Sequence, residues 1–218
     1  MASSPTRACV ITTCILTTFL FSTVESYKCT ECSPLQCTSG LQATCEATQG
    51  CFHYKQEFNE SGKVQQSSQE KGCSSNTCTP LAFSATLGNE RTFGYDLQCC
   101  SSELCNQKDV FVSQKSPDPN GVKCPACYSE ESVFCGTTDL PCTGRETKCV
   151  EVVATAFDGL AMYGMGCATE NACNLKGQQV LSGIKIWTRC IDPSSGGPAL
   201  LSATSSMLSS LFLLKVFL

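Results

Sequence analysis

The stretch QCCSSELCN, residues 98–106, places two cysteines side by side, a third five residues after the second, and an asparagine directly after it. The Cα atoms of neighbouring residues are about 3.8 Å apart across a trans peptide, whereas an unstrained disulfide spans roughly 4.4 to 6.8 Å. Cys99 and Cys100 are therefore expected to bond to different partners. Because successive side chains in a strand point to opposite sides, such a pair can fix two elements of a fold.

The first 26 residues have the features of a secretory signal peptide. One positive charge, Arg7, precedes an apolar run, and Val24 and Ser26 occupy the −3 and −1 positions of a cleavage before Tyr27. The alternative is an uncleaved membrane anchor, but the run has about 16 residues and a spanning helix needs ~20. We therefore predict a secreted chain that folds in an oxidising compartment.

The C-terminal residues 191–218 have the features of a signal for attachment to glycosylphosphatidylinositol (GPI). Small residues are followed by a bland spacer and by an apolar tail that is too short to cross a bilayer. Ser195 is the predicted attachment residue, with Ser194 and Gly196 as alternatives, and the tail would be removed. Lys215 is unusual in such a tail, and the alternative is an ordinary secreted C-terminus.

The cysteine content indicates a disulfide scaffold. Of the 20 cysteines, 18 lie between the two terminal signals. An even number at this density in a secreted chain is typical of domains held by disulfides. The predicted mature chain, residues 27–195, has 13 basic and 18 acidic side chains, and no basic patch indicates binding to nucleic acid or anionic lipid.

The cysteines form two sets, which indicates an internal duplication. Ten lie in residues 27–106 and eight in residues 124–190, and both sets open with C-x-x-C and carry a Gly-Cys step midway. The segment between them, residues 107–123, is rich in turn residues and has little to bury, so we predict a linker. Each half has about 80 residues, a size at which an apolar core seldom contributes more than ~3 to 5 kcal/mol. The disulfides must therefore hold each domain together.

Local patterns within each half predict strands. Asp158-Gly159 suits a type I′ hairpin turn, and Gly183 interrupts an alternating segment as a β-bulge would. No stretch between the terminal signals has a sustained helical period. The predicted strand segments are residues 52–58, 92–98, 150–166, which contain a hairpin, and 180–188. We predict an all-β, disulfide-rich fold.

The order of the ten cysteines and the closing CC-x4-CN from Cys99 to Asn106 resemble the Ly6/uPAR superfamily, whose three-finger domain also occurs in snake neurotoxins. The resemblance covers residues 27–190 as two tandem domains. The two-domain layout, with CPAC opening the second domain, is similar to the gamma-type phospholipase A2 inhibitors and to small GPI-anchored receptors of the same group. It implies two three-finger domains.

The resemblance also implies a disulfide pairing, among the many that spacing alone leaves open. The family's pattern pairs Cys29 with Cys51, Cys32 with Cys37, Cys45 with Cys73, Cys78 with Cys99, Cys100 with Cys105, Cys124 with Cys149, Cys127 with Cys135, Cys142 with Cys167, and Cys173 with Cys190. It further implies that Asn106 hydrogen-bonds the backbone of the first strand. Ile191 stands where the second domain would have the second cysteine of the pair, so that domain lacks the last disulfide.

Motifs of catalysis or metal binding are weak in this sequence. CPAC at 124–127 resembles a redox pair, but no βαβ unit accompanies it, and the two C-x-x-C pairs are too far apart for a zinc ribbon. His53 alternates with aromatic residues on a predicted strand and is interpreted as a surface or packing residue. No G-x-S-x-G or H-E-x-x-H motif occurs. We expect a protein that is not an enzyme and needs no cofactor or metal.

Binding through loop tips and the sheet surface is the expected role of such a scaffold. Large apolar residues are dense in LAMYGM, residues 160–165, which predicts an exposed patch. Asn59 begins the only N-glycosylation sequon, at the predicted tip of the second finger. The candidate ligand-binding residues are Phe157, Leu160, Met162, Tyr163 and Met165 in the second domain, and Phe83, Leu87, Phe93 and Tyr95 in the first. The alternative is that alternate members fill a thin core.

From these features we expect a GPI-anchored cell-surface binding protein or receptor. It would be held in the outer leaflet of the plasma membrane, in part also secreted, and engage an extracellular protein ligand through its finger loops. The first alternative is a soluble inhibitor of secreted phospholipase A2. The second is a toxin-like modulator of a receptor or ion channel, although the chain lacks an obvious arginine-bearing long second finger.

Overall fold

The computed structural model describes residues 26–88, 91–113, 115–157, 159–180 and 183–193. The predicted signal peptide apart from Ser26, the predicted attachment residue Ser195 with the tail that follows it, and Asp158 of the predicted hairpin turn lie outside the described residues.

Strands make up most of the described chain, in agreement with the alternating sequence patterns. In chain order the elements are β1 (Tyr27–Glu31), α1 (Pro34–Ser39), β2 (Ala43–Ala47), β3 (Cys51–Glu60), β4 (Lys63–Cys73), β5 (Leu81–Leu87), β6 (Arg91–Cys100), β7 (Pro119–Ser129), β8 (Thr138–Thr143), β9 (Lys148–Ala156), β10 (Gly159–Ala168), a 3₁₀ turn (Glu170–Ala172), β11 (Lys176–Val180) and β12 (Ile184–Ile191). The predicted all-β, disulfide-rich fold of two tandem domains is confirmed.

Two local features differ from the predictions. Residues 34–39 form the short helix α1, where the Gln36 side chain accepts a hydrogen bond from the Ser33 N–H. Gly183, predicted at a bulge, lies instead in the turn between β11 and β12, and the bulge of that hairpin lies at Gly177. Both glycines have positive φ, a conformation that occurs in turns and in bulges alike. A glycine that interrupts an alternating sequence pattern therefore does not show which of the two it forms. None of the helices in the described ranges has the length and apolar character needed to cross a membrane.

Disulfides fix the base of each domain, and there are nine in the described residues of the two domains together. They join the same pairs that the family resemblance implies, five in the first domain and four in the second. Cys99 bonds backward to Cys78 and Cys100 bonds forward to Cys105, so the adjacent cysteines do serve different partners. Sulfur atoms form two small buried clusters, one in each domain, and these are separate from the main apolar core.

Asn106 connects the end of the first domain to its beginning. Its side chain is 4% exposed, and its Oδ1 accepts a hydrogen bond from the Thr30 N–H at 2.8 Å. Its Nδ2 donates to the backbone carbonyls of Thr30 and Phe52, at 2.8 and 2.9 Å. The Asn106 side chain therefore satisfies three backbone groups, two on β1 and one on β3. The hydrogen bonds to β1, the first strand, are those that the family resemblance implies.

The two domains share one large antiparallel sheet. Its strand order is β11-β12-β9-β10-β5-β6-β3-β4, and β7 pairs with both β10 and β8. The junction is the pairing of β10 with β5, where Gly166, Cys167 and Ala168 lie opposite Leu87, Thr86 and Ala85. We call this junction the domain seam. A side chain on Gly166 would overlap the Thr86 carbonyl oxygen, so the strands approach this closely only because the position is glycine.

Residues 107–118, which we call the connector, pack back on the first domain. The Lys71 ammonium, which is buried, donates to the Gln107 carbonyl at 2.7 Å and to the Asp109 carboxylate at 2.9 Å, and this hydrogen bond lowers the pKa of Asp109. Val110 is also buried. The expectation that this segment has little to bury is therefore wrong, and the part of the predicted linker from Pro119 onward belongs to β7.

His53 is a buried packing residue beneath the connector. Its Nδ1 lies 2.9 Å from the Lys108 carbonyl oxygen. Burial, followed by the nearby Lys71 charge, lowers the pKa of His53, so its imidazole is neutral at neutral pH. The alternative of a surface position is excluded.

Glu146 supplies a carboxylate to the domain seam. It is 3% exposed, and it accepts hydrogen bonds from the Ser84 hydroxyl at 2.9 Å and the Thr86 hydroxyl at 2.7 Å. Thr169 adds a reciprocal pair of backbone and side-chain contacts with Ser84. Burial raises the pKa of Glu146 in spite of the two hydroxyl donors.

We expect Glu146 to make the stability of the seam depend on pH. A carboxyl whose pKa is raised by folding contributes stability that is present below its unfolded pKa, near 4.5, and is lost as the pH rises through the folded pKa. The melting temperature of the wild type, relative to that of Glu146→Gln, should therefore fall between about pH 4 and about pH 7. Glu131→Gln, at an exposed position, is the control. A constant difference between wild type and Glu146→Gln across this range would contradict the prediction.

Candidate binding surfaces

One face of the shared sheet is apolar across both domains, and we call it the apolar face. Side chains alternate along each strand, and the register places the inward members of six strands side by side. They are Phe58 on β3; Phe93 on β6; Phe83, Ala85 and Leu87 on β5; Met162 on β10; Val150, Val152 and Ala154 on β9; and Ile184 and Ile186 on β12. The main core is thus one cluster shared by the two domains.

The LAMYGM segment does not form the predicted exposed patch. Tyr163 is buried, and its hydroxyl donates a hydrogen bond to the Glu151 carboxylate at 2.9 Å. Burial, together with this carboxylate, raises the pKa of Tyr163 to about 12. Met162 packs against the core from the apolar face. Leu160 and Met165 are half-buried. Because the residues of β10 alternate between the two sides of the sheet except at the bulge at Ala161, this dense apolar run is divided between two surfaces rather than gathered on one.

The first-domain candidates belong to the core and not to a free surface. Phe83, Leu87 and Tyr95 are buried, and Phe93 packs against them. The Phe83 and Tyr95 rings stack with centroids 5.2 Å apart, and burial raises the pKa of Tyr95 to about 12. The alternative interpretation, in which alternate residues fill a thin core, holds for these four.

A cavity of about 260 Å³ opens on the apolar face between the domains. Aromatic side chains of the first domain, with Tyr128, form one wall: Phe58, Phe83, Phe93 and Tyr128. Aliphatic side chains of the second domain form the other: Val150, Val152, Ala154, Ala161, Met162, Ala172, Val180, Ile184 and Ile186. Ala161 is the extra residue of a bulge in β10, so Ala161 and Met162 both line the cavity although they are consecutive.

Charged groups near this cavity are paired with one another. The Arg91 guanidinium lies over the Tyr128 ring, 4.1 Å from its centroid, and forms an ion pair with Glu60 at 2.6 Å. The Tyr128 hydroxyl donates to the Glu130 carboxylate at 3.0 Å. Burial and this carboxylate raise the pKa of Tyr128 to about 12. The contact between Arg91 and Tyr128 joins the two domains, so local sequence patterns gave no sign of it.

The two most exposed large apolar side chains among the described residues of the second domain lie at its loop tips. Phe157 is fully exposed at the β9–β10 turn, and Phe134 is 81% exposed in the loop after β7. β7 and β10 are antiparallel neighbours, with Ser129 opposite Tyr163, so both loops extend from the same end of the sheet. Phe157 was a sequence candidate; Phe134 was missed, although a lone phenylalanine in a polar loop was a usable signal.

Asn59 is the second-last residue of strand β3, two residues before the hairpin tip at Ser61-Gly62. Its side chain is half-buried, and its amide nitrogen donates to the Thr92 hydroxyl at 3.3 Å. Glycosylation of this nitrogen remains a prediction, and it would require the side chain to turn away from Thr92.

In the part of the chain that the structure describes, three groups of cysteine sulfurs lie close enough together to resemble metal sites: Cys29, Cys45 and Cys73; Cys51, Cys100 and Cys105; and Cys124, Cys142 and Cys167. Each of these sulfurs is bonded in a disulfide. A disulfide sulfur is not the thiolate that a metal ion requires, so the proximity reflects stacked disulfides.

The model of the u-PAR/Ly-6 domain matches the chain twice, over residues 23–108 and 120–195. The chain belongs to the u-PAR/Ly-6 family. Protein RoBo-1 of Rattus norvegicus is 43% identical over 197 residues, which cover 88% of this u-PAR/Ly-6 chain and 80% of that protein. Phospholipase A2 inhibitor NAI of Notechis ater is 31% identical, over 74% of this chain and 83% of the inhibitor.

A further relative is Ly6/PLAUR domain-containing protein 8 of Bos taurus, which is 26% identical over 64% of this chain and 63% of its own length. The resemblance to the Ly6/uPAR superfamily and to phospholipase A2 inhibitors, stated from the cysteine pattern, is thereby confirmed. The family and the inhibitor relatives support a non-catalytic binding protein that engages an extracellular protein.

Proposed function

We propose that this u-PAR/Ly-6 protein is anchored at the cell surface through GPI and binds an extracellular protein ligand through the loop tips of its second domain. The proposal for the ligand-binding surface rests on two exposed aromatic side chains, Phe157 and Phe134. Both project from the same end of a sheet held by disulfides. Aromatic side chains presented on a rigid support are typical anchors of protein interfaces. The small-residue site at Ser195 and the apolar tail support the anchor.

The anchor is tested with the full chain expressed in mammalian cells. Phosphatidylinositol-specific phospholipase C should release the protein from the surface into the medium. Simultaneous replacement of Ser194, Ser195 and Gly196 by bulky residues should prevent display of the protein at the cell surface. A surface pool that resists the phospholipase would contradict anchoring by GPI.

The ligand surface is tested by the substitutions Phe157→Ser and Phe134→Ser. We expect each to reduce capture of the extracellular partner by about tenfold or more, because an aromatic anchor at an interface commonly contributes about 2 kcal/mol or more. Neither should lower the melting temperature, since these side chains are exposed. Binding is measured by cross-linking on intact cells, followed by quantitative mass spectrometry.

Leu41→Ser, which alters an exposed apolar residue of the first domain, is the matched control. Equal capture by Phe157→Ser, Phe134→Ser and Leu41→Ser would show that the ligand binds elsewhere.

A second candidate function is inhibition of secreted phospholipase A2. It is favoured by the 31% identity with an inhibitor of that enzyme over most of both chains. The purified chain should then inhibit a secreted phospholipase A2 at stoichiometric concentration. Absence of inhibition, together with release by the phosphatidylinositol-specific enzyme, would leave the cell-surface role.

A further inference from the structure

The cavity on the apolar face is built by small residues at positions that face large ones. Folded interiors are close-packed and have few voids larger than a water molecule, whereas four alanines border this space of about 260 Å³. They are Ala85, Ala154, Ala161 and Ala172. The volume lies just under the roughly 300 to 1,000 Å³ of most small-molecule sites, so it suits a narrow ligand.

The lining favours a ligand segment that carries no polar atoms. In the described residues, four buried side-chain atoms lack a hydrogen-bond partner, on His53, Asn59, Ser68 and Thr143, and none of these residues lines the cavity. Apart from Ala161, the extra residue of the β10 bulge, the wall residues of β5, β9 and β10 pair with neighbouring strands in the sheet. A peptide entering the cavity would bury amides without partners, whereas an alkyl chain would only remove apolar surface from water.

The polar residues at the cavity mark its outer rim. Gln66 and Glu130 are exposed and Thr188 is half-exposed. The charged lining residue is the carboxylate Glu130, and the nearby Arg91 is already paired with Glu60. A negatively charged head group would therefore be repelled by the carboxylate at the rim, whereas a neutral one would not, and a zwitterionic one can turn its cationic end toward that carboxylate.

We propose that this cavity binds one unbranched aliphatic chain that carries a neutral or zwitterionic head group, as in a monoacyl lipid. The chain lies between the aromatic wall of the first domain and the aliphatic wall of the second. Because the ligand contacts both domains, it also stabilises the pairing of β5 with β10. This site differs from the loop tips that contact a protein ligand, and it does not depend on how the protein is attached to the cell.

The experiment uses the full chain, expressed in mammalian cells and transferred into detergent-free buffer. The probe is a dodecyl chain with a phosphocholine head group and a photoreactive diazirine at the chain end, used below its micelle concentration. We expect saturable labelling of one site per chain, mapped by peptide sequencing to the cavity walls around Met162. Labelling that does not saturate, or that spreads over the surface, would overturn the proposal.

Ala161→Leu fills the cavity from a half-buried position and should weaken labelling by about tenfold. Thr155→Leu lies on the opposite face of β9 from Ala154 and should leave labelling unchanged. Equal labelling of the two variants would contradict the site.

A test on the wild type does not depend on the folding of any variant. Competition by unlabelled phosphocholines should be weaker by tenfold or more for a hexyl chain than for a dodecyl chain. Dodecanoate should compete less well than dodecyl phosphocholine, and the reverse order would overturn the head-group assignment. If the wild type captures its protein partner but does not bind dodecyl phosphocholine, the cavity site is rejected and the function proposed for the loop tips is unaffected.

Discussion

Gly166→Val should separate the two domains while each keeps its own disulfides. The Cβ of any other residue at this position overlaps the Thr86 carbonyl, which belongs to the backbone and cannot move to another rotamer. Overpacking a site usually costs about 1 to 3 kcal/mol, and we expect the upper end here because relief requires the strands to part. The Glu146 hydrogen bonds to Ser84 and Thr86 would be lost with them.

Hydrogen exchange at the seam measures this separation directly. The Gly88 N–H donates to the Met165 carbonyl at 3.1 Å, and the Thr169 N–H to the Ser84 carbonyl at 3.0 Å. Both amides should exchange about 100-fold faster in Gly166→Val, which corresponds to about 3 kcal/mol. Gly136→Val is the matched control, because a side chain there meets nothing within 4 Å. Unchanged protection of Gly88 and Thr169 would mean that the domains do not depend on the β5–β10 pairing.

Asn106→Ala should destabilise the first domain more than any single exposed substitution. The change leaves the Thr30 N–H and the Thr30 and Phe52 carbonyls without their side-chain partner in a buried site. Each buried group left unsatisfied costs about 1 to 3 kcal/mol, so a total of about 3 kcal/mol or more is expected. For a domain of this size, this loss lowers the melting temperature by about 10 °C or more.

Non-reducing guanidinium unfolding of the full chain checks this value. Asn76→Ala is the control, since Asn76 is exposed and such changes usually stay within about 0.5 kcal/mol. If the two alanine variants unfold at the same denaturant concentration, the three hydrogen bonds of Asn106 contribute nothing measurable. The disulfide between Cys100 and Cys105 would then be sufficient to close the domain.

Asn106 and Gly166 stabilise different parts of the molecule. Asn106 and the disulfides act within the first domain, where the apolar core is thin and covalent links replace it. Gly166 acts between domains, where the apolar face forms one core for both. The presentation of Phe157 and Phe134 to a partner depends on the second domain, whereas the aliphatic cavity depends on the seam.

Much of the architecture could be predicted from the sequence. The even cysteine count, the two sets of cysteines and the period-two alternation are local or compositional properties, and they indicate a disulfide-rich β fold in two domains. The adjacent pair Cys99 and Cys100 required two partners simply because of the distance between neighbouring Cα atoms. The order of the cysteines then identified the family.

The binding surfaces could not be predicted in the same way. Whether Tyr163 is exposed depends on which face of β10 meets a neighbour, and the β5–β10 pairing joins residues about 80 positions apart. Other long-range contacts hold the connector over Lys71 and His53. Ala161 lies in a bulge of β10 that borders the cavity between the domains. Sequence by itself determined the β character of the chain and the disulfide-rich class, because these follow from nearest neighbours and composition. Only the tertiary structure decided which side chains face solvent, which fill the core and which border the cavity, because burial is set by what packs across the sheet.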